Sequence, residues 1–138
     1  MVGTWHFVIA EITARDGKKS FPFGPSPRGI LIFTPEGDFT QTHIAAGIPK
    51  IASGNRLAAT AEEYAGIVRG SIALFGTYTV DEANSTITYH IASSTFQNWE
   101  GISQTRLVEM PSDDELRHTN PDVGAGRGSA TNIYRRRR

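Results

Sequence analysis

Three polar side chains on neighbouring strand-like segments carry the sharpest chemical signal in this 138-residue sequence: His90, Gln104 and Arg106. In the run Ile102–Val108, Gln104 and Arg106 share a face with Ile102, Val108 and Met110, while Ser103, Thr105 and Glu109 take the other face. If the mixed face points inward, it carries a guanidinium among apolar neighbours. A buried cation needs a partner. That partner is either a group of the protein or a ligand's carboxylate, enolate or phenolate. On this reading His90, in the preceding segment Thr86–Ser94, lies across the strand pair as the candidate acid or base, because an imidazole exchanges protons near neutral pH. The same three residues also suit a self-satisfied interior network that fixes strand register.

Further candidates extend this group. Gln41 and His43 share a face with Phe39 and line the same hollow if that face is inward; His43 reads as a rim residue or a catalytic helper. Tyr78 shares a face with Leu74 and Val80, so its hydroxyl could donate to a developing oxyanion or simply pack. Phe96 and Trp99 lie in a loop at a barrel mouth, where they stack on a ligand or plug the opening. Tyr64, on a predicted helix, completes the candidate ligand contacts.

Other chemistries find no support. There is no Gly-x-Ser-x-Gly elbow and no P-loop. The run Gly124-Ala125-Gly126-Arg127-Gly128 follows no strand-to-helix unit and so is not a dinucleotide fingerprint. His6, His43, His90 and His118 lack metal-ligand spacing, and the chain has no cysteine. Neither a metal nor a cofactor is expected.

Composition narrows the partners. Basic and acidic residues number 14 each, but four of the basic ones are Arg135–Arg138, which leaves a mildly acidic body. Nucleic acid is therefore not an expected partner. No apolar run approaches the roughly 20 residues of a membrane-spanning helix. The opening Met1-Val2-Gly3-Thr4-Trp5 lacks the features of a secretory signal, so the cytoplasm is the expected compartment. The length suits one domain, 1–138, with one core and room for a pocket. Whether the protein is a monomer or a homodimer stays open.

The elements that must position these residues are mostly strands. Thr4–Ala10 alternates, with Trp5, Phe7 and Ile9 on one face. Gly29–Thr34 and Phe39–His43 form a hairpin around Pro35-Glu36-Gly37-Asp38. Phe75–Val80, Thr86–Ser94 and Ile102–Val108 form a central meander. A turn at Pro111–Asp114, a short strand Glu115–Thr119, a Gly-rich loop Asn120–Gly128 and a last strand Ser129–Arg136 follow. Thr60-Ala61-Glu62-Glu63 is a capping box that opens a helix over about 61–71, placed as a lid on one end. About eight antiparallel strands on short connections predict an all-β fold, and closure into a barrel removes their edges.

The chain also resembles a known family. Gly3-Thr4-Trp5 is similar to the Gly-x-Trp signature of lipocalins. Thr34-Pro35-Glu36-Gly37, Asn55-Arg56-Leu57 with Thr60–Glu63, Phe75–Val80, the Ser94–Gly101 stretch, Gln104 with Arg106 and Tyr134-Arg135 resemble the small bacterial and fungal lipocalin-like domain proteins. The resemblance implies a calycin-type β-barrel with a lid and an internal cavity. It also implies that Arg135 or Arg136 lies across Trp5 to close the base. Some lipocalin-like barrels in natural-product pathways are cofactor-free cyclases or isomerases. Two functions follow as expectations. One is a cofactor-independent isomerase, cyclase or lyase acting on a largely apolar small molecule, such as a natural-product intermediate. There Arg106 and Gln104 would bind an oxygen and His90 would move a proton, assisted by Tyr78 or His43. The other is a non-catalytic carrier for a small hydrophobic or mixed-polarity ligand.

Overall fold

The computed structural model describes residues 1–124 and 127–138. Its strands are β1 (Gly3–Thr13), β2 (Lys19–Ser20), β3 (Arg28–Phe33), β4 (Asp38–Ile44), β5 (Ser71–Asp81), β6 (Thr86–Ser94), β7 (Ser103–Ser112), β8 (Glu115–Asn120) and β9 (Ser129–Arg136). They pair in the order β2-β1-β3-β4-β5-β6-β7-β8-β9, and β1 also pairs with β9. All these pairings are antiparallel. The last pairing turns a meander into a closed barrel of eight strands, with β2 a two-residue appendage on Ile12 and Thr13. Closure leaves the eight long strands without a free ladder edge, the usual hazard of an open sheet.

Alternation along the strands fills the barrel with large side chains: Trp5, Leu31, Phe33, Ile87, Leu116 and Tyr134 are all at most 1% exposed. Two irregularities alter the simple alternation. A register shift in β1 between Phe7 and Ile9 brings Ala10 inward, so Ile9 does not continue the face of Trp5 and Phe7. A second shift, between Phe75 and Gly76, leaves β6 with one extra residue at Ala92. Glycine is required there, because a Cβ on Gly76 would collide with the carbonyl oxygen of His90. Beyond that bulge Ser94 is buried, although it lies an even number of residues from exposed His90.

The base closes as the resemblance implies. The Arg136 guanidinium lies 4.2 Å from the Trp5 ring centre, and it donates to the carbonyls of Asp113 (2.8 Å) and Val2 (3.2 Å).

At the opposite end, α1 (Ala61–Gly70) joins β4 to β5. Its capping box forms in full: Thr60 Oγ1 accepts the Glu63 amide at 3.1 Å, and Glu63 Oε1 accepts the Thr60 amide at 2.8 Å. The backbone amides of Thr60 and Ala52, both donating to the carboxylate, hold the Glu63 carboxyl below its ordinary pKa. The helix buries none of its residues. It rests on the 45–49 loop, where Gly66 and Gly70 allow Pro49 and Ile48 to approach. β5 starts at Ser71 directly after the helix, four residues earlier than the predicted Phe75. β7 continues through Pro111, where the sequence predicts a turn. The Gly-rich stretch Asn120–Gly128 includes 125 and 126, which lie outside the described residues.

Candidate functional site

β7 aims Gln104 and Arg106 into the barrel. Gln104 stands opposite Tyr89, and Arg106 opposite Ile87; both partners on β6 are buried. Directly opposed residues on antiparallel strands share a face. Together with Gln41, Leu74, Trp99, His118, Asn132 and Tyr89 they line a cavity of about 80 Å³. The lining is polar on most sides and aromatic toward Trp99, whose 3₁₀ turn (Gln97–Trp99) packs against the core.

Arg106 is held but not neutralised. Nη2 donates to Gln104 Oε1 at 2.8 Å and Nη1 to the Thr105 carbonyl at 3.0 Å. Among the described residues it forms no ion pair. Burial lowers its pKa from the ordinary arginine value, while nearby Tyr89 and Tyr134 oppose that shift. An arginine at such a depth keeps its charge, so the cavity wall carries an uncompensated positive group.

Two tyrosine–histidine pairs lie beside it. Tyr89 Oη is 2.6 Å from His118 Nδ1, and Tyr134 Oη is 2.9 Å from His43 Nε2. His43 also stacks on Phe7, with ring centres 3.7 Å apart and planes 10° from parallel. Burial pushes both imidazoles down to about 3; for His118 the charge of Arg106 and the neighbouring His43 add to it. Burial raises the phenol pKa values of Tyr89 and Tyr134. At neutral pH all four rings are therefore uncharged. His118 Nε2 is the one buried side-chain nitrogen or oxygen among the described residues without a hydrogen-bond partner.

The structure separates the sequence candidates into two groups. Gln41, Trp99, Gln104 and Arg106 surround the cavity. His43 lies in the interior beside it, 2% exposed, rather than on a rim. His90 is not with them, which corrects the expected His90–Arg106 hollow. It pairs across the ladder with Ser103 and Thr77 on the outer face, its Nδ1 2.8 Å from Ser103 Oγ and its Nε2 3.4 Å from Thr79 Oγ1. The reason is parity: Ile87, Tyr89 and Ile91 are the apolar side of β6 and must face the core, which turns His90 to solvent.

Tyr78 is also displaced from the expected role. Its hydroxyl donates to the Thr34 carbonyl at 2.8 Å and its ring packs edge-on against Phe33, near the hairpin end of the barrel. Burial raises its pKa, and the charge of Glu36 adds to that. Tyr64 stays on the outside of α1, donating to the Arg56 carbonyl and accepting the Ala59 amide. Phe96 is 46% exposed, meets Trp99 in a T-shaped contact with ring centres 5.4 Å apart, and is not among the residues that line the cavity.

Four cavity residues were not among the sequence candidates: Leu74, Tyr89, His118 and Asn132. Tyr89 follows from the apolar parity of β6. His118 follows from Leu116 two residues before it, and Asn132 from Tyr134 two residues after it, since each pair shares a strand face.

Residues 2–134 match the family described as a lipocalin-like domain. No curated protein matches. Among solved structures, a redesigned β-barrel is similar at 15% identity and a TM-score of 0.47, over 99% of this chain and 91% of that one.

Proposed function

The chain belongs to the lipocalin-like domain family, which supports a small-molecule binding protein, and from that premise we propose that the barrel binds a small molecule through an acidic oxygen held by Arg106. The observation that carries this reading is the guanidinium itself: it faces the cavity, hydrogen-bonds only neutral groups and has no carboxylate partner among the described residues. Gln41, Gln104 and Asn132 supply neutral amides beside it. Removing a charge from water is costly unless something compensates it. A bound carboxylate, enolate or phenolate supplies that compensation. A cavity of about 80 Å³ takes the head group, and the apolar body of the ligand lies toward Trp99.

A second reading, a cofactor-free isomerase, cyclase or lyase, is favoured by one observation, the Tyr89–His118 pair on the same cavity wall. In that case Arg106 stabilises an enolate oxygen, and His118 in place of His90 moves the proton. Native mass spectrometry of the purified protein tests the binding reading. It is expected to release an acid that Arg106→Met no longer retains. A neutral or cationic ligand, or an acid kept equally by Arg106→Met, would overturn it.

A further inference from the structure

We propose that Tyr89 and His118 form one donor unit. Tyr89 O–H donates to His118 Nδ1, which fixes the tautomer with its proton on Nε2, and that N–H joins Arg106 in gripping the anionic oxygen of the ligand. This rests on the acidic-oxygen reading above and assigns its second donor.

The geometry supplies each step. The Tyr89 hydroxyl has one hydrogen-bond partner among the described residues, Nδ1 at 2.6 Å; donating there leaves the phenol proton paired, whereas the reverse direction would strand it in the interior. A neutral imidazole that accepts at one nitrogen carries its hydrogen on the other. That other nitrogen is Nε2, buried and unpartnered on a residue that lines the cavity with Arg106. An N–H left unsatisfied in the interior is costly, and a ligand oxygen relieves it.

The titratable and charged groups facing the ring among the described residues are Tyr89, Arg106, His43 and Tyr134. None of them is an anion that would favour an imidazolium. The ring therefore acts as an uncharged donor, and the net positive charge of the site comes from Arg106. The ligand class that fits one cation and one neutral N–H is a monoanion with delocalised oxygen charge: a carboxylate, an enolate or a phenolate. Tyr89 does not touch the ligand in this scheme; it is a positioning residue.

Histidine-selective ¹⁵N NMR of the full chain tests the assignment. Expected for His118 are a pyridine-type Nδ1 and a pyrrole-type Nε2 that stay constant from pH 8 to pH 5. Acetate, and then benzoate, should shift the Nε2 signal saturably. Tyr89→Phe, which keeps the ring, should mix the tautomers and weaken benzoate binding about threefold or more. A proton found on Nδ1 overturns the inference whether or not an acid binds. Benzoate binding that needs Arg106 but leaves the Nε2 signal unmoved also overturns it, and leaves the acidic-oxygen reading intact. Binding of neither acid defeats that reading, and the inference with it.

Discussion

Arg106 stands directly across the β6–β7 ladder from Ile87, a residue with no exposed surface, and this places its guanidinium inside the barrel. Three positions along the same ladder, His90 pairs with Ser103 on the outside. The two residues that the sequence joins in one site are thus on opposite sides of a single sheet wall. What the cation meets inside is amides and two uncharged tyrosine–histidine pairs.

Because Arg106 has no ion pair among the described residues, replacing it should not harm the fold. Arg106→Met fills similar volume and removes an unpaired, partly buried charge, so it relieves a desolvation cost. Its urea midpoint should equal or exceed that of the wild type. A loss of more than about 2 kcal/mol would mean that Arg106 is a structural keystone and not a ligand anchor.

His90→Ala should be nearly silent. The side chain is exposed and its partners, Ser103 and Thr79, are exposed hydroxyls. Surface changes of this kind usually stay within about 0.5 kcal/mol. Ligand retention should also be unchanged; a lost ligand would return His90 to the site.

His90 and Arg106 differ in how far their residue types and strand neighbours reveal which way they face. The barrel was legible because it rests on runs such as Thr86–Ser94 and on turn residues such as Pro35 and Gly37, whose chemistry is local. Arg106 was legible because Val108 shares its face. His90 misleads because an imidazole suits a core or a surface, so its residue type does not reveal what the parity of Ile87, Tyr89 and Ile91 does, that it faces out. The same alternation that marks Ile87, Tyr89 and Ile91 as core points to Tyr89. The bulge at Ala92 adds a second obstacle, since it breaks the parity linking His90 to Ser94. The Tyr89–His118 and His43–Tyr134 contacts join residues 29 and 91 positions apart, and no local pattern announces them.

Acid should destabilise the protein well before its carboxylates protonate. His43 and His118 have folded values near 3, against 6.5 unfolded, so the unfolded chain takes up protons first as pH falls below 6.5. The stability these neutral rings contribute is fully present above that value and is lost progressively toward pH 3. Each contributes a slope of up to about 1.4 kcal/mol per pH unit. Glu63 and Asp81, with carboxyls held below 4.5 and 3.8, add their losses only at lower pH. Urea unfolding at pH 7 and pH 5.5 should therefore show a clear drop in midpoint; equal midpoints would mean that the two histidines are charged in the fold.

Arg136→Ala should weaken the base of the barrel by about 1–3 kcal/mol, through loss of the indole contact and two bonds to carbonyls. Arg136→Lys should recover only part of this, because an ammonium does not reproduce the planar stack. Thermal melts of the three proteins compare the losses directly, and full recovery by lysine would show that charge alone suffices.

The most direct test of the account is calorimetric titration of benzoate and of benzamide into the wild type and Arg106→Met. If the interior guanidinium anchors an acidic oxygen, benzoate binds the wild type at least tenfold more tightly than benzamide, and Arg106→Met removes that preference. Equal binding of acid and amide to the wild type, or a preference that survives in Arg106→Met, would contradict it.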